Sequence, residues 1–198
     1  MFLPAILLSL LAFAGQTTAV SWYFLRYYTP TGAKLTSFAG ELSIPSLQKA
    51  GVYYLWPGLQ PTDNSGVYQN VLDGRSGTWW IGSGWCCSNP SLPWGGGFNT
   101  YGGETVAFSN VLDGDQWTST LTRRSSGEVV TDNFALASKS FNQALFAIEL
   151  TGTDSSWCSS SPENYNSASR YTISGLRASV SGNEVTCTID SVVLEGPA

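Results

Sequence analysis

Short runs of alternating apolar and polar residues, each closed by Gly, Pro, Asn or Asp, recur along almost the whole chain, and no stretch of useful length carries helical periodicity. Eleven runs read as strands: 20–27 (VSWYFLRY), 38–44 (FAGELSI), 51–59 (GVYYLWPGL), 67–72 (VYQNVL), 78–85 (TWWIGSGW), 104–112 (ETVAFSNVL), 116–124 (QWTSTLTRR), 128–136 (EVVTDNFAL), 144–152 (ALFAIELTG), 171–182 (YTISGLRASVSG) and 184–195 (EVTCTIDSVVLE). SLQKA at 46–50 offers one helical turn at most. So many strands must each bury a face, which predicts two packed antiparallel sheets, an all-β sandwich of jelly-roll type.

Eight Trp, nine Tyr and nine Phe supply the core, and 21 Gly with only 12% charged residues favour strands and turns over surface helices. Residues 1–19 (MFLPAILLSLLAFAGQTTA) are apolar from Phe2 to Ala14 and end in small residues, the pattern of a secretory signal peptide. That run is too short to span a bilayer, and no later one approaches the length. The expectation is a secreted, extracellular monomer with no membrane partner, residues 20–198 forming a single domain. A net charge of −5 and a pI near 4.5 argue against a nucleic-acid partner, which would need clustered Lys and Arg; the longest basic run is Arg123-Arg124.

Histidine is absent. Ser/His/Asp triads, Cys/His dyads and His-based zinc sites are thereby excluded, and any acid or base must be a carboxyl helped by amides, Tyr or Lys. No cofactor is implied. Four cysteines, at 86, 87, 158 and 187, fit an oxidising compartment and allow three pairings. A bond between the neighbours Cys86 and Cys87 would be strained, so Cys158 with Cys187 is the favoured disulfide, Cys86 and Cys87 staying open. A thiolate metal site lacks both CxxC and His, so no metal is expected.

NVLDG occurs twice, at 70–74 and 110–114, in diverging contexts, and reads as hairpin-turn chemistry rather than duplication. In the strand before the first copy, alternation puts Val67, Gln69 and Val71 on one face; in ALFAIEL it groups Leu145, Ala147 and Glu149. A polar residue so placed is either solvated or aimed into a cleft. The long Gly/Ser-rich pieces 83–103 and 153–170 each carry a tryptophan, Trp94 and Trp157, that is a stacking platform if exposed.

Several segments, taken in order, resemble the fungal glutamic peptidases, the eqolisins. FAGELSIPS (38–46) is similar to an early strand of that family and LWPGLQ (55–60) to its Trp-x-Gly-Ile-Asp segment. GVYQNV is similar to the strand bearing its catalytic glutamine, TWWIGSGW to the aromatic strand that follows, and ALFAIEL to its Ala-Glu-Trp-Ile-x-Glu motif. The resemblance spans residues 38–151 and implies a concanavalin A-like, lectin-like sandwich with Gln69 and Glu149 as the dyad. Glu149 would be general base and acid, Gln69 the oxyanion donor, and Trp56 and Gln60 would line the cleft. Gln60 stands where the family has an acidic residue, and Leu145 where its motif has the first glutamate.

Two functional classes follow. One is a secreted acid hydrolase of polypeptides built on Gln69 and Glu149. The other is a carbohydrate-binding or carbohydrate-cleaving sandwich, taking a polysaccharide on Trp79, Trp80, Trp85 or Trp94; alternation sends Trp79 and Trp80 to opposite faces, so at most one of that pair belongs to the core. A wall-associated or structural sandwich without catalysis is the third, plainer reading.

Overall fold

The computed structural model describes residues 20–29, 31–87, 89–151, 170–174, 177–181, 184–188 and 190–195; the signal-like segment and Cys158 lie outside them. The described residues form strands and no helix. In chain order these are β1 (Val20–Tyr28), β2 (Ser37–Ser43), β3 (Tyr53–Pro61), β4 (Val67–Asp73), β5 (Trp79–Cys86), β6 (Gly97–Thr100), β7 (Thr105–Asp113), β8 (Gln116–Arg123), β9 (Val129–Phe134), β10 (Phe141–Thr151), β11 (Arg170–Ser174), β12 (Arg177–Ser181), β13 (Glu184–Thr188) and β14 (Ser191–Glu195). A six-stranded antiparallel sheet runs β1-β10-β3-β4-β5-β6 and a four-stranded one β2-β7-β8-β9, while β11 pairs with β14 and β12 with β13. The all-β two-sheet sandwich expected from the alternation is the observed architecture.

Alternation decides which side chains meet between the sheets. Leu72, Trp79, Ile81 and Phe98 of the larger sheet pack on Val106, Phe108 and Leu121 of the smaller. Leu59, Tyr68, Trp85 and Phe141 pack on Trp117 and Phe134. Aromatic side chains bury about 150–250 Å² each, roughly 4–6 kcal/mol apiece as an upper estimate. Rings such as Trp79, Trp117, Tyr68 and Phe141, all fully buried, therefore dominate cohesion.

Asp113-Gly114 is the hairpin turn expected of NVLDG, with Gly114 at φ 59° between β7 and β8. The first copy differs: the turn from β4 to β5 uses Gly77 at φ 85°, while Gly74 is held small by Trp79 and Leu47, 3.0 and 3.2 Å from where a Cβ would sit. What the repeat shares is its asparagines. Asn70 Nδ2 donates to Asn110 Oδ1 (3.3 Å), Ser83 Oγ (2.9 Å) and Ser119 Oγ (3.0 Å), and Asn110 Nδ2 donates back to Asn70 Oδ1 (2.6 Å). One amide from each copy thus meets the other at the centre of the sandwich.

Three elements depart from the sequence reading. β6 was hidden inside the 83–103 loop because four residues flanked by Gly95-Gly96 and Gly102-Gly103 carry no readable period. The runs 171–182 and 184–195 each divide into two strands that pair crosswise as ribbons. Cys86 and Cys87, the pairing the sequence left open, bring their sulfurs against each other across neighbouring Cα atoms 3.0 Å apart, while Cys158 of the other expected pair lies outside the described residues.

Candidate active site

The outward face of the six-stranded sheet carries the residues singled out by sequence. Tyr68, Asn70 and Leu72 of β4 point between the sheets, so Gln69 and Val71 point out. There Val71 joins Trp56 of β3 with Leu145 and Ala147 of β10 in a third apolar cluster. Gln69 is 7% exposed, and its amide has no hydrogen-bond partner among the described residues. Both its cross-strand neighbours are glycines, Gly58 on β3 and Gly84 on β5. The space each leaves holds an indole: Trp56 lies 3.1 Å from a Cβ placed on Gly58, and a Cβ on Gly84 would overlap the Trp94 ring. An amide flanked by two indoles is a group kept largely dry, with only a small part of it reaching the outward face. Tyr68 next to it is no acid–base candidate, since it faces inward and burial pushes its phenol upward.

Register settles what faces this amide across the sheet. Gln69 pairs with Gly58, and Gly58 pairs with Leu145. Leu145 is 3% exposed. Glu149 pairs instead with Tyr54, which pairs with Asp73, four positions along each strand. At about 3.3 Å per residue that offset is roughly 13 Å along the strands, beyond the two-strand step across. The backbone therefore does not set Glu149 alongside Gln69; a hydrocarbon side chain occupies that row.

The other expected site residues divide by face. Trp56 is buried in the outward apolar cluster beside Gln69. Gln60 is half-buried on the same face, paired with Gln143 of β10. Trp80 lies outward across Gly82 and Gly97, either of which would collide with its ring if given a Cβ. Trp79 is core and Trp80 is not, within the limit of one that alternation set for the pair. Trp94 is 47% exposed, a free edge over Gly84. Trp85 is corrected: it is 3% exposed, packed on Phe141 with ring centroids 6.2 Å apart, because its position opposite Tyr68 sends it between the sheets and away from any ligand.

Sequence reasoning missed Gln143, although its alternation with Leu145 marks it as outward. Its Nε2 lies 3.2 Å from Asn64 Oδ1 and 3.4 Å from Pro61 O, and its Oε1 and that of Gln60 are buried without partners among the described residues. Asp132 was missed as well: its Oδ1 accepts from Gly96 N at 3.1 Å, and with Gly95 N donating to Ser83 O it anchors the loop that carries Trp94. Among the described residues no cluster of Cys, Asp or Glu is grouped to hold a metal ion.

Fold and face together define an antiparallel two-sheet β-sandwich that presents an amide between indoles on its larger sheet. No protein-family model matches the sequence, and no curated protein matches it. Among solved structures the chain is similar to scytalido-glutamic peptidase with a transition state analog inhibitor, at TM-score 0.50 and 19% identity over 65% of this chain and 64% of that one. It is also similar to scytalido-glutamic peptidase with a peptide based transition state analog, at TM-score 0.50 and 15% identity over 88% and 74%. SCP-B, a member of the eqolisin family of peptidases in a complex with the tripeptide Ala-Ile-His, gives TM-score 0.47 and 15% identity over 88% and 73%. In the first of these the chain spans less than two thirds of the peptidase's length. The likeness is one of fold: the sandwich resembled in sequence is the sandwich observed.

Proposed function

We propose that this chain is a secreted, polypeptide-binding protein on the glutamic-peptidase fold. It takes an extended segment across the outward face of the six-stranded sheet, with the Gln69 amide donating to a backbone carbonyl of the bound chain. Support comes from an amide with no partner among the described residues, held between Trp56 and Trp94, and from a similar fold solved with a peptide based transition state analog. The observation that carries the binding reading over a hydrolytic one is Leu145. Hydrolysis by a Gln/Glu site needs its carboxyl within hydrogen-bond reach of the scissile bond, directly or through one water. The row of Gln69 holds Leu145, and Gln60 is an amide where the resembled family has an acid. Asp73, a carboxylate on this face, has both oxygens taken by Arg75.

The test is retention of reduced, alkylated casein by the immobilised chain. Retention weakened about three- to tenfold by Gln69→Ala, the effect of one net hydrogen bond, is expected. No retention, or retention indifferent to that substitution, would defeat the reading. The second reading is hydrolysis by the Gln69/Glu149 dyad, favoured by the shared order of the motifs. Cleavage in acid that Glu149→Gln abolishes would establish it instead.

A further inference from the structure

At the far end of the outward face, four residues along β4 from Gln69, the sheet carries a pocket of about 430 Å³ lined by Asp73, Arg75, Ser76, Trp80 and Asn99. It is an open, shallow depression rather than an enclosed cavity, a shape that suits a single ring laid against the sheet. We infer that this pocket binds a neutral sugar ring, at a place separate from the peptide-binding row.

The charges exclude the simpler ligands. Asp73 Oδ1 accepts from Arg75 Nε at 3.1 Å and its Oδ2 from Arg75 Nε and Nη2 at 2.9 and 2.7 Å. A cation finds the carboxylate already occupied, and an anion finds the guanidinium already neutralised. What stays available is donor and acceptor capacity without net charge. Arg75 is 61% exposed, lies over the Tyr54 ring at 5.5 Å, and keeps Nη1 without a partner among the described residues. The Asn99 side-chain amide is exposed and has no partner among the described residues, the contacts of Asn99 being through its backbone, to β5 and to Arg123. Ser76 is tied into the turn through Thr78 and contributes shape more than hydrogen bonds.

Beside these polar groups lies Trp80, laid flat by Gly82 and Gly97, where a side chain of any size would lift it off the sheet. A pyranose has this dual character: one face of C–H groups to stack on an indole, and a rim of hydroxyls that donate and accept. A lone aromatic peptide side chain would use the platform and leave the Arg75 and Asn99 groups without partners, at a desolvation cost.

The experiment is a fluorescence and saturation-transfer NMR titration of the purified chain with cellotetraose, laminaritetraose, chitotetraose and mannotetraose. Tetragalacturonate and a chitosan tetramer are the anionic and cationic comparators. At least one neutral tetrasaccharide should bind at millimolar concentration or tighter and outcompete both charged oligomers. Trp80→Ala and Asn99→Ala should each loosen it about fivefold or more. Asn99 is exposed on an edge strand, so its variant reports even where the Trp80 variant fails to fold. Absence of neutral binding, preference for a charged oligomer, or affinity unchanged by Asn99→Ala would overturn the assignment. Casein retention is a separate readout in the same samples, so loss of one site does not decide the other.

Discussion

Single residues here act mainly through whether their polar atoms are matched. Asn70 and Asn110 are fully buried and satisfy one another together with Ser83 and Ser119. Asn70→Leu should cost about 1–3 kcal/mol, because it strands the amide of Asn110 and leaves the Ser83 and Ser119 hydroxyls with only each other. The Asn70→Leu/Asn110→Leu double variant should cost less than the sum, with a coupling of about 0.5–3 kcal/mol in urea unfolding; strict additivity would mean the two amides do not interact. Glu104 provides a pH-dependent counterpart. The Thr100 hydroxyl at 2.7 Å, then the Tyr101 N–H and the Arg123 guanidinium, hold its carboxyl below the ordinary value of 4.5. A lowered folded-state pKa means the contribution is complete above about 4.5 and fades as pH falls through the folded value. Thermal melts should therefore show wild type losing its advantage over Glu104→Gln as pH drops below that window.

At the scale of elements, glycines and the loop after β5 shape the outward face. Gly84→Ala puts a methyl where the Trp94 ring lies. It should red-shift or quench that tryptophan's emission and weaken casein retention, while leaving the melting temperature nearly unchanged. The inward face obeys cavity energetics instead: Leu121→Ala, fully buried against Val106 and Phe108, should destabilise by about 2–5 kcal/mol in chemical unfolding. The strands themselves were legible because alternation and turn residues are local signals, and Trp79 and Trp80 separated as their parity required. β6 and the split ribbons were not, since their boundaries depend on which strand pairs with which. Parity grouped Gln69 with Val67 and Val71 on one face; that this face is the outward one follows from Tyr68, Asn70 and Leu72 being buried between the sheets. The partner of Gln69 was not legible: ALFAIEL fixes the face of Leu145, yet only the register of β10 on β3 reveals that Leu145, and not Glu149, shares the row of Gln69. Trp85 was legible and misread: it shares parity with Trp79 and Ile81 in the same strand, so once those face inward it does too.

For the molecule as a whole, one sandwich supports two kinds of surface on the same sheet: an amide between indoles at its middle and a charge-neutral pocket beneath Trp80 at its rim. The architecture is similar to that of the glutamic peptidases, and the row of Gln69 holds Leu145. A bound polypeptide should accordingly leave this protein intact. The most direct check is to incubate the purified chain with unfolded casein at about pH 4, where a Gln/Glu site without histidine would retain a working base and acid, and to search for new N-termini by mass spectrometry. Casein held on the chain and recovered without new termini is the expected result. Specific cleavage that disappears in Glu149→Gln would contradict the account and return the site to catalysis.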